Sequence, residues 1–264
     1  MSQAVLTKAV LRERRERVFL VLAGIFLCAM TLLNVVGISR FIQLGPMALA
    51  VGVLPYPITF LCTDLICELY GRRRANFLVT VGLGLNVFIL GCLYLGQLLP
   101  SVDPSTQPPW QVLKLAEDVS LPNGDVISGS IELFQLIYSL TAGAVFASMM
   151  AYLAAQYVDV QLFHFWKRLT RGKHLWLRNN LSTLVSQMVD ATMVVTVTFG
   201  AAYLAGTVTL QQMAVLIGSN YLFKMVVALL DTGPFYLGVH WLRRYLQVEH
   251  PGTVDQTEAM PAQA

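Results

Sequence analysis

The chain has 264 residues, of which 56% are hydrophobic and only 12% charged, with a formal net charge of +3. An ordinary soluble domain carries about 25% charged residues, so a water-facing surface cannot be built from this composition. The mean hydropathy of +0.61 agrees, and the apolar residues fall in long blocks rather than on amphipathic faces.

A membrane-spanning helix needs roughly 20 largely apolar residues. Six stretches qualify: Val18–Val36, Phe41–Phe60, Phe77–Leu99, Leu133–Ala155, Leu181–Ala205 and Ala214–Trp241. The expected fold is an all-α integral membrane protein of six helices. Residues 1–17 are expected as a basic cytoplasmic tail, 18–244 as the six-helix domain, and 245–264 as a polar, disordered cytoplasmic tail. The first span follows Arg12, Arg14, Arg15 and Arg17 but is too long for a signal-peptide core and lacks a small-residue cleavage site.

Orientation follows from the positive charges. Fifteen Lys and Arg residues lie in the N-terminal tail, the loops after the second and fourth spans, and the C-terminal segment. Only Arg40 and Lys114 fall on the other side, and Lys224 lies within a span. This predicts both termini in the cytoplasm. The net charge is therefore a topology signal. The basic loops lack the interleaved aromatics and motifs of nucleic-acid binding.

The connection Pro100–Ser130 is predicted on the outer side, with a turn at Asn123–Gly124 and a short interfacial helix over Trp110–Val119. Dividing the chain after the third span gives halves of opposite topology, and each half's second span carries a carboxylate, Asp64 or Asp190. That is the pattern a 3+3 inverted repeat leaves.

Ionisable groups inside spans are expensive, roughly 2.5–3.5 kcal/mol on insertion scales, and mark function. At a helical rise of about 1.5 Å per residue, Asp64 lies roughly 12 Å inward from Arg72. Asp190, Asp231 and Asn86 each lie roughly 18 Å inward from the nearest cytoplasmic arginine. Four polar side chains from four helices are thus expected near the midplane. Glu68 is one turn from Asp64, Gln187 is three residues before Asp190, and Asn220 and Lys224 share a face of the last span. Pro55–Tyr56–Pro57 and Gly233–Pro234 are expected to break the helices beside Asp64 and Asp231, as in cavity-lining segments of transporters.

Structural readings compete for several of these residues. Asn34 and Asn86 suit hydrogen bonds between helices, Lys224 can snorkel, and Glu68 can fix a helix end. Gly82, Gly84, Ala147, Ala151 and Ala155 suit close helix packing. Cys28, Cys62, Cys67 and Cys92 lie in apolar spans without metal-ligand spacing, and His164, His174, His240 and His250 are scattered. No HExxH, GxSxG or P-loop is present, so no metal, cofactor or catalytic group is expected.

The run Pro57-Ile-Thr-Phe-Leu-Cys-Thr-Asp64-Leu-Ile-Cys-Glu68-Leu-Tyr70-Gly71-Arg72-Arg-Arg-Ala75 resembles the signature of the queuosine precursor transporter family, a vitamin-uptake-type family. So do Ser182-Thr-Leu-Val-Ser186-Gln187-Met-Val-Asp190, the Ala147–Asp159 stretch, and Lys224 with Leu230-Asp231-Thr232 and Pro234. The likeness covers roughly Val18–Arg244. It departs in having Asp190–Ala191 where the family has Asp-Thr, and in a long outer loop and an extended basic tail.

This resemblance implies a non-enzymatic importer of 7-cyano-7-deazaguanine or its 7-aminomethyl relative across an inner membrane. A guanine-like edge presents adjacent N–H donors that a carboxylate accepts bidentately. The expected substrate-binding residues are Asp64, Gln187, Asp190 and Asn86, with Tyr56 and Phe60 for stacking. Asp231 and Lys224 are expected as a pair that shifts during transport, together with Glu68 and Asn220, and proton coupling is compatible with them. The expected partners are the guanine-like base and the lipid bilayer; an oligomer is compatible with the chain. The rival readings are a substrate-binding subunit of an energy-coupling-factor vitamin transporter, dependent on a separate ATPase module, and an intramembrane aspartyl protease, whose flanking sequences are missing.

Overall fold

A computed structural model describes residues 8–103, 105–169 and 175–248. Six helices are long and apolar enough to cross a membrane. They are α1 (Lys8–Val35), α2 (Tyr56–Tyr70), α3 (Arg72–Leu98), α4 (Leu133–Leu169), α5 (Leu175–Leu204) and α6 (Leu210–Leu246). Their outward surfaces are apolar: Leu20, Phe77, Phe88, Leu229 and Leu230 are each at least 66% exposed. In water such a surface would associate, whereas in lipid it is the solvated face. The basic N-terminal segment is helical from Lys8 and continuous with α1. Of the segment 245–264 expected to be disordered, Tyr245 and Leu246 complete α6 and Leu246 and Val248 are buried, while residues 249–264 lie outside the described residues.

The second span differs from the hydropathy reading. Phe41–Phe60 is not one helix: β1 (Phe41–Leu44) and β2 (Met47–Ala50) form an antiparallel hairpin, a 3-10 turn follows over Val51–Val53, and α2 begins only at Tyr56. Gly45, at φ +58°, opens the two-residue Gly45–Pro46 loop, where a positive φ matches the twist of a tight hairpin. Pro55 and Pro57 do not interrupt a helix. They start one, because a proline in the first turn sacrifices only an N–H that has no intrahelical partner. The apolar helical span is therefore Val51–Tyr70.

The connection before α4 also differs. Instead of an interfacial helix over Trp110–Val119, β3 (Val112–Lys114) pairs with β6 (Ser130–Glu132) and β4 (Val119–Ser120) with β5 (Val126–Ile127). The two ladders nest into one interrupted hairpin. Its tip is the expected Asn123–Gly124 turn, with Gly124 at φ +90° and the Leu121 N–H donating to the Asp125 carbonyl at 2.8 Å. At Gly233–Pro234, α6 continues unbroken. The proline removes only the bond to the Leu230 carbonyl.

The chain divides into two compact units. The first comprises Met1–Leu33, Leu54–Leu85 and Val226–Ala264. Its core gathers Ala23 and Phe26 of α1, Cys62, Ile66, Leu69 and Tyr70 of α2, Ala75 and Leu78 of α3, and Leu246 and Val248 at the end of α6. Gly71, at φ +87°, makes the sharp corner between α2 and α3, its N–H donating to the Cys67 carbonyl at 3.0 Å. The corner is clasped by polar groups. The Tyr70 hydroxyl donates to the Arg15 carbonyl at 2.7 Å, and Arg74 pairs with Glu16 at 3.0 Å while lying over the rings of Phe19 and Tyr70. A Cβ at Gly82 would stand 2.9 Å from the Met30 side chain, so the expected close packing holds there; Gly84 faces open space.

The second unit comprises Asn34–Val53 and Asn86–Met225. Here α4 and α5 run against each other, and the small residues Ala147 and Ala151 of α4 and Ala191 of α5 are fully buried. Small side chains allow such close approach of helix backbones. The β1–β2 hairpin is fixed to α6, where the Ala48 N–H donates to Ser219 Oγ at 3.1 Å, and Leu49 is buried. Non-helical backbone in a membrane protein requires this kind of internal partner.

Candidate functional site

Of the four residues expected at one depth, Asn86 and Asp190 belong to the second unit and Asp64 and Asp231 to the first. Gln187, Asn220 and Lys224 join the second unit; Tyr56, Phe60 and Glu68 join the first.

In the second unit, Lys224 of α6 forms an ion pair with Asp190 of α5. The side chains are 5% and 14% exposed. An ammonium group so deeply enclosed must be paired, because desolvating it alone costs far more than the helix packing returns. The expectation had given Lys224 to Asp231; the structure gives it Asp190. The lysine is held inside the bundle by this pair rather than snorkelling to a membrane surface. One turn before Asp190, the amide of Gln187 points inward: its Oε1 is buried without a hydrogen-bond partner among the described residues. Ser186, four residues before Asp190, is buried as well. Asn220 is half-buried, one turn before Lys224 on α6.

Asn34, at the end of α1, donates from Nδ2 to Asn86 Oδ1 of α3 at 3.1 Å, with the two residues 2% and 4% exposed. This is the interhelical amide bond that the apolar setting of both residues suggests. Beside it, the Thr141 hydroxyl of α4 donates to the Val35 carbonyl at 3.2 Å.

In the first unit, Gly238 of α6 allows Leu65 of α2 within 3.1 Å of where a Cβ would stand. That approach sets α6 beside α2 and brings Asp231 within electrostatic reach of Asp64. Asp64 is exposed and Asp231 half-buried. Glu68, one turn from Asp64, pairs with Arg243 near the end of α6. Composition could not single out that arginine, since Arg243 and Arg244 serve topology equally well. Tyr56 and Phe60 stack edge to face with centroids 4.6 Å apart.

The described residues contain no cluster of His, Cys, Asp or Glu able to hold a metal ion. No disulfide joins Cys28, Cys62, Cys67 and Cys92, and Cys62 is buried. His240 is exposed, while His174 and His250 lie outside the described residues.

The family described as "Putative vitamin uptake transporter" matches residues 50–238. The chain belongs to this family. The match runs from the end of β2 to the Gly238 contact, so it includes Asp64, Asn86, Asp190, Lys224 and Asp231 and leaves out Asn34. No curated protein and no solved structure matches the chain. Membership in the vitamin uptake transporter family, with six helices able to span a membrane, makes this a multi-pass membrane protein with a transport role. For such a role the second unit offers a charged pair and a spare acceptor inside the spans. The first unit offers two neighbouring carboxylates.

Proposed function

We propose that the chain imports queuosine precursors, 7-cyano-7-deazaguanine and its 7-aminomethyl relative, across a bacterial inner membrane with both termini in the cytoplasm. The observation that carries this reading is the buried Lys224–Asp190 pair with the unpartnered Gln187 oxygen one turn away. A guanine-like edge has two adjacent N–H donors beside a carbonyl acceptor. Asp190 accepts the donors and Lys224 donates to the carbonyl, so the pair exchanges its internal partner for the base without leaving a charge uncompensated. Gln187 takes a further N–H. The resemblance of the Asp64–Arg74 and Ser182–Asp190 runs to the queuosine precursor transporters supports this choice of cargo.

Asp231, Glu68 and Asn220 then serve coupling and gating, with a proton as the coupling ion. Asn86 acts within the binding region of the second unit, and Tyr56 and Phe60, in edge-to-face contact within the first unit, are the aromatic pair proposed for stacking. The energy-coupling-factor alternative needs a surface of small residues for its ATPase module. Ala147 and Ala151 are fully buried within this chain, which favours a transporter acting alone.

The test is uptake in a bacterium that cannot make 7-deazaguanine precursors and lacks an energy-coupling-factor module. Supplied with 7-cyano-7-deazaguanine at low concentration, cells carrying the wild-type chain are expected to regain queuosine in tRNA. Cells carrying Asp190→Asn or Lys224→Met are expected not to. Absence of rescue by wild-type protein present in the membrane would refute the cargo or its independence of a partner.

A further inference from the structure

Asn34 is among the most enclosed polar side chains of the second unit, at 2% exposure. Its amide nitrogen is used, donating to Asn86 Oδ1 at 3.1 Å. Its carbonyl oxygen, Oδ1, is buried without a hydrogen-bond partner among the described residues. The hydroxyl of Thr141, which reaches the residue next to Asn34, is committed to the Val35 carbonyl at 3.2 Å. The backbone carbonyl of Asn34 is likewise occupied, accepting from the Gly37 N–H at 3.4 Å.

Buried polar atoms in folded proteins are nearly always satisfied, and one left open in a low-dielectric interior is a standing destabilisation. An apolar side chain at this position would remove that burden. The asparagine persists with one half of its amide anchored and the other half open, which is the arrangement of a recognition group: Asn86 fixes the plane of the amide, and the fixed carbonyl waits for a donor. Gln187 Oε1 is a second open acceptor in the same unit. Two open acceptors and no open buried donor among the described side chains of this unit call for a ligand rich in N–H groups.

We propose that Asn34 is a specificity-determining residue whose carbonyl oxygen accepts an N–H of the transported heterocycle, and that Asn86 is the positioning residue that orients it. This rests on the transport reading above. It assigns Asn34 a part in selection that lies outside the segment matched by the family, and it moves Asn86 from contact with the base to support of Asn34. Excluding an N–H-bearing ligand in favour of an analogue lacking that hydrogen would leave Oδ1 unpaired, so discrimination should be strong.

The experiment measures initial uptake rates of 7-cyano-7-deazaguanine and of three analogues, each lacking one N–H donor group: the N1-methyl, N9-methyl and 2-deamino forms. Wild type, Asn34→Ala and Asn86→Ala are compared. Wild type is expected to disfavour at least one analogue by about tenfold or more. Asn34→Ala is expected to raise KM for the parent base and to lose discrimination against that one analogue while keeping it against the others. Asn86→Ala should weaken the same preference without abolishing it. If Asn34→Ala does not reach the membrane, Asn34→Ser keeps a hydroxyl for Asn86 but withdraws the oxygen from the ligand, and the same loss is expected. Unchanged discrimination in the variant, or an equal loss of rate for all four compounds, would overturn the inference and leave Asn34 as a packing amide satisfied by water. Failure of the wild type to take up any of the four would overturn the transport reading and this inference with it.

Discussion

Lys224 on α6 and Asp190 on α5, 34 residues apart in sequence, form an ion pair with the lysine side chain 5% exposed and the carboxylate 14%. Each charge is tolerated because the other is present. Removing one leaves an uncompensated charge in the bundle, at a cost of about 3–5 kcal/mol. Lys224→Met and Asp190→Asn are each expected to lower the thermal midpoint of the purified protein sharply. The double variant, which removes both charges, should recover most of that stability while uptake remains lost. Recovery of uptake together with stability would make the pair purely structural.

Gly71 stands at φ +87° between α2 and α3, a backbone conformation that costs any residue with a Cβ about 1–3 kcal/mol. Gly71→Ala is expected to destabilise by about that amount without altering substrate preference. Thermal unfolding in detergent against uptake at low temperature separates the two effects.

The Tyr70 hydroxyl holds the Arg15 carbonyl at 2.7 Å, and the ring is almost wholly buried. Tyr70→Phe keeps the ring and deletes the bond, so a loss of about 1 kcal/mol is expected. Limited proteolysis of the N-terminal segment should accelerate in the variant. Unaltered cleavage would mean that the clasp is held by Arg74 and Glu16 alone.

Ser219 ties the β1–β2 hairpin to α6 by accepting the Ala48 N–H at 3.1 Å. Ser219→Ala is expected to raise amide hydrogen exchange across Phe41–Ala50, with Ala48 changing most. The global midpoint should shift by about 1 kcal/mol or less. Exchange that stays slow at Ala48 would show that hairpin packing, and Leu49 above all, suffices.

If the fifteen Lys and Arg residues of the proposed cytoplasmic segments set the orientation against Arg40 and Lys114, a cysteine placed at Ser128, between β5 and β6, should react with a membrane-impermeant maleimide in intact cells. One placed at Thr7 should react only after lysis. The reverse pattern would invert the proposed orientation.

Six apolar spans and membership of a membrane transport class follow from the residues themselves, because a bilayer demands about 20 apolar residues per crossing and composition records this directly. The Asn123–Gly124 turn and the close packing at Ala147 and Ala151 were legible for the same local reasons. The second span was not. Phe41–Phe60 is apolar throughout, and hydropathy cannot distinguish a hairpin from a helix; the Gly45–Pro46 pair was the available signal. The ladders β3–β6 and β4–β5 escaped as well, since strands of two or three residues are too short to show an alternating pattern.

Depth along each helix was likewise computable from a fixed rise per residue, which is why Asp64, Asn86, Asp190 and Asp231 could be singled out. Which of them touch depends on helix rotation and on side chains arriving from other segments. Tertiary structure alone decided that Lys224 faces Asp190, that Glu68 meets Arg243, and that Asn34 offers an unused oxygen beside Asn86. Burial in the membrane is a property of one segment and its solvent. Pairing is a property of two segments, and sequence order does not record the angle at which they meet.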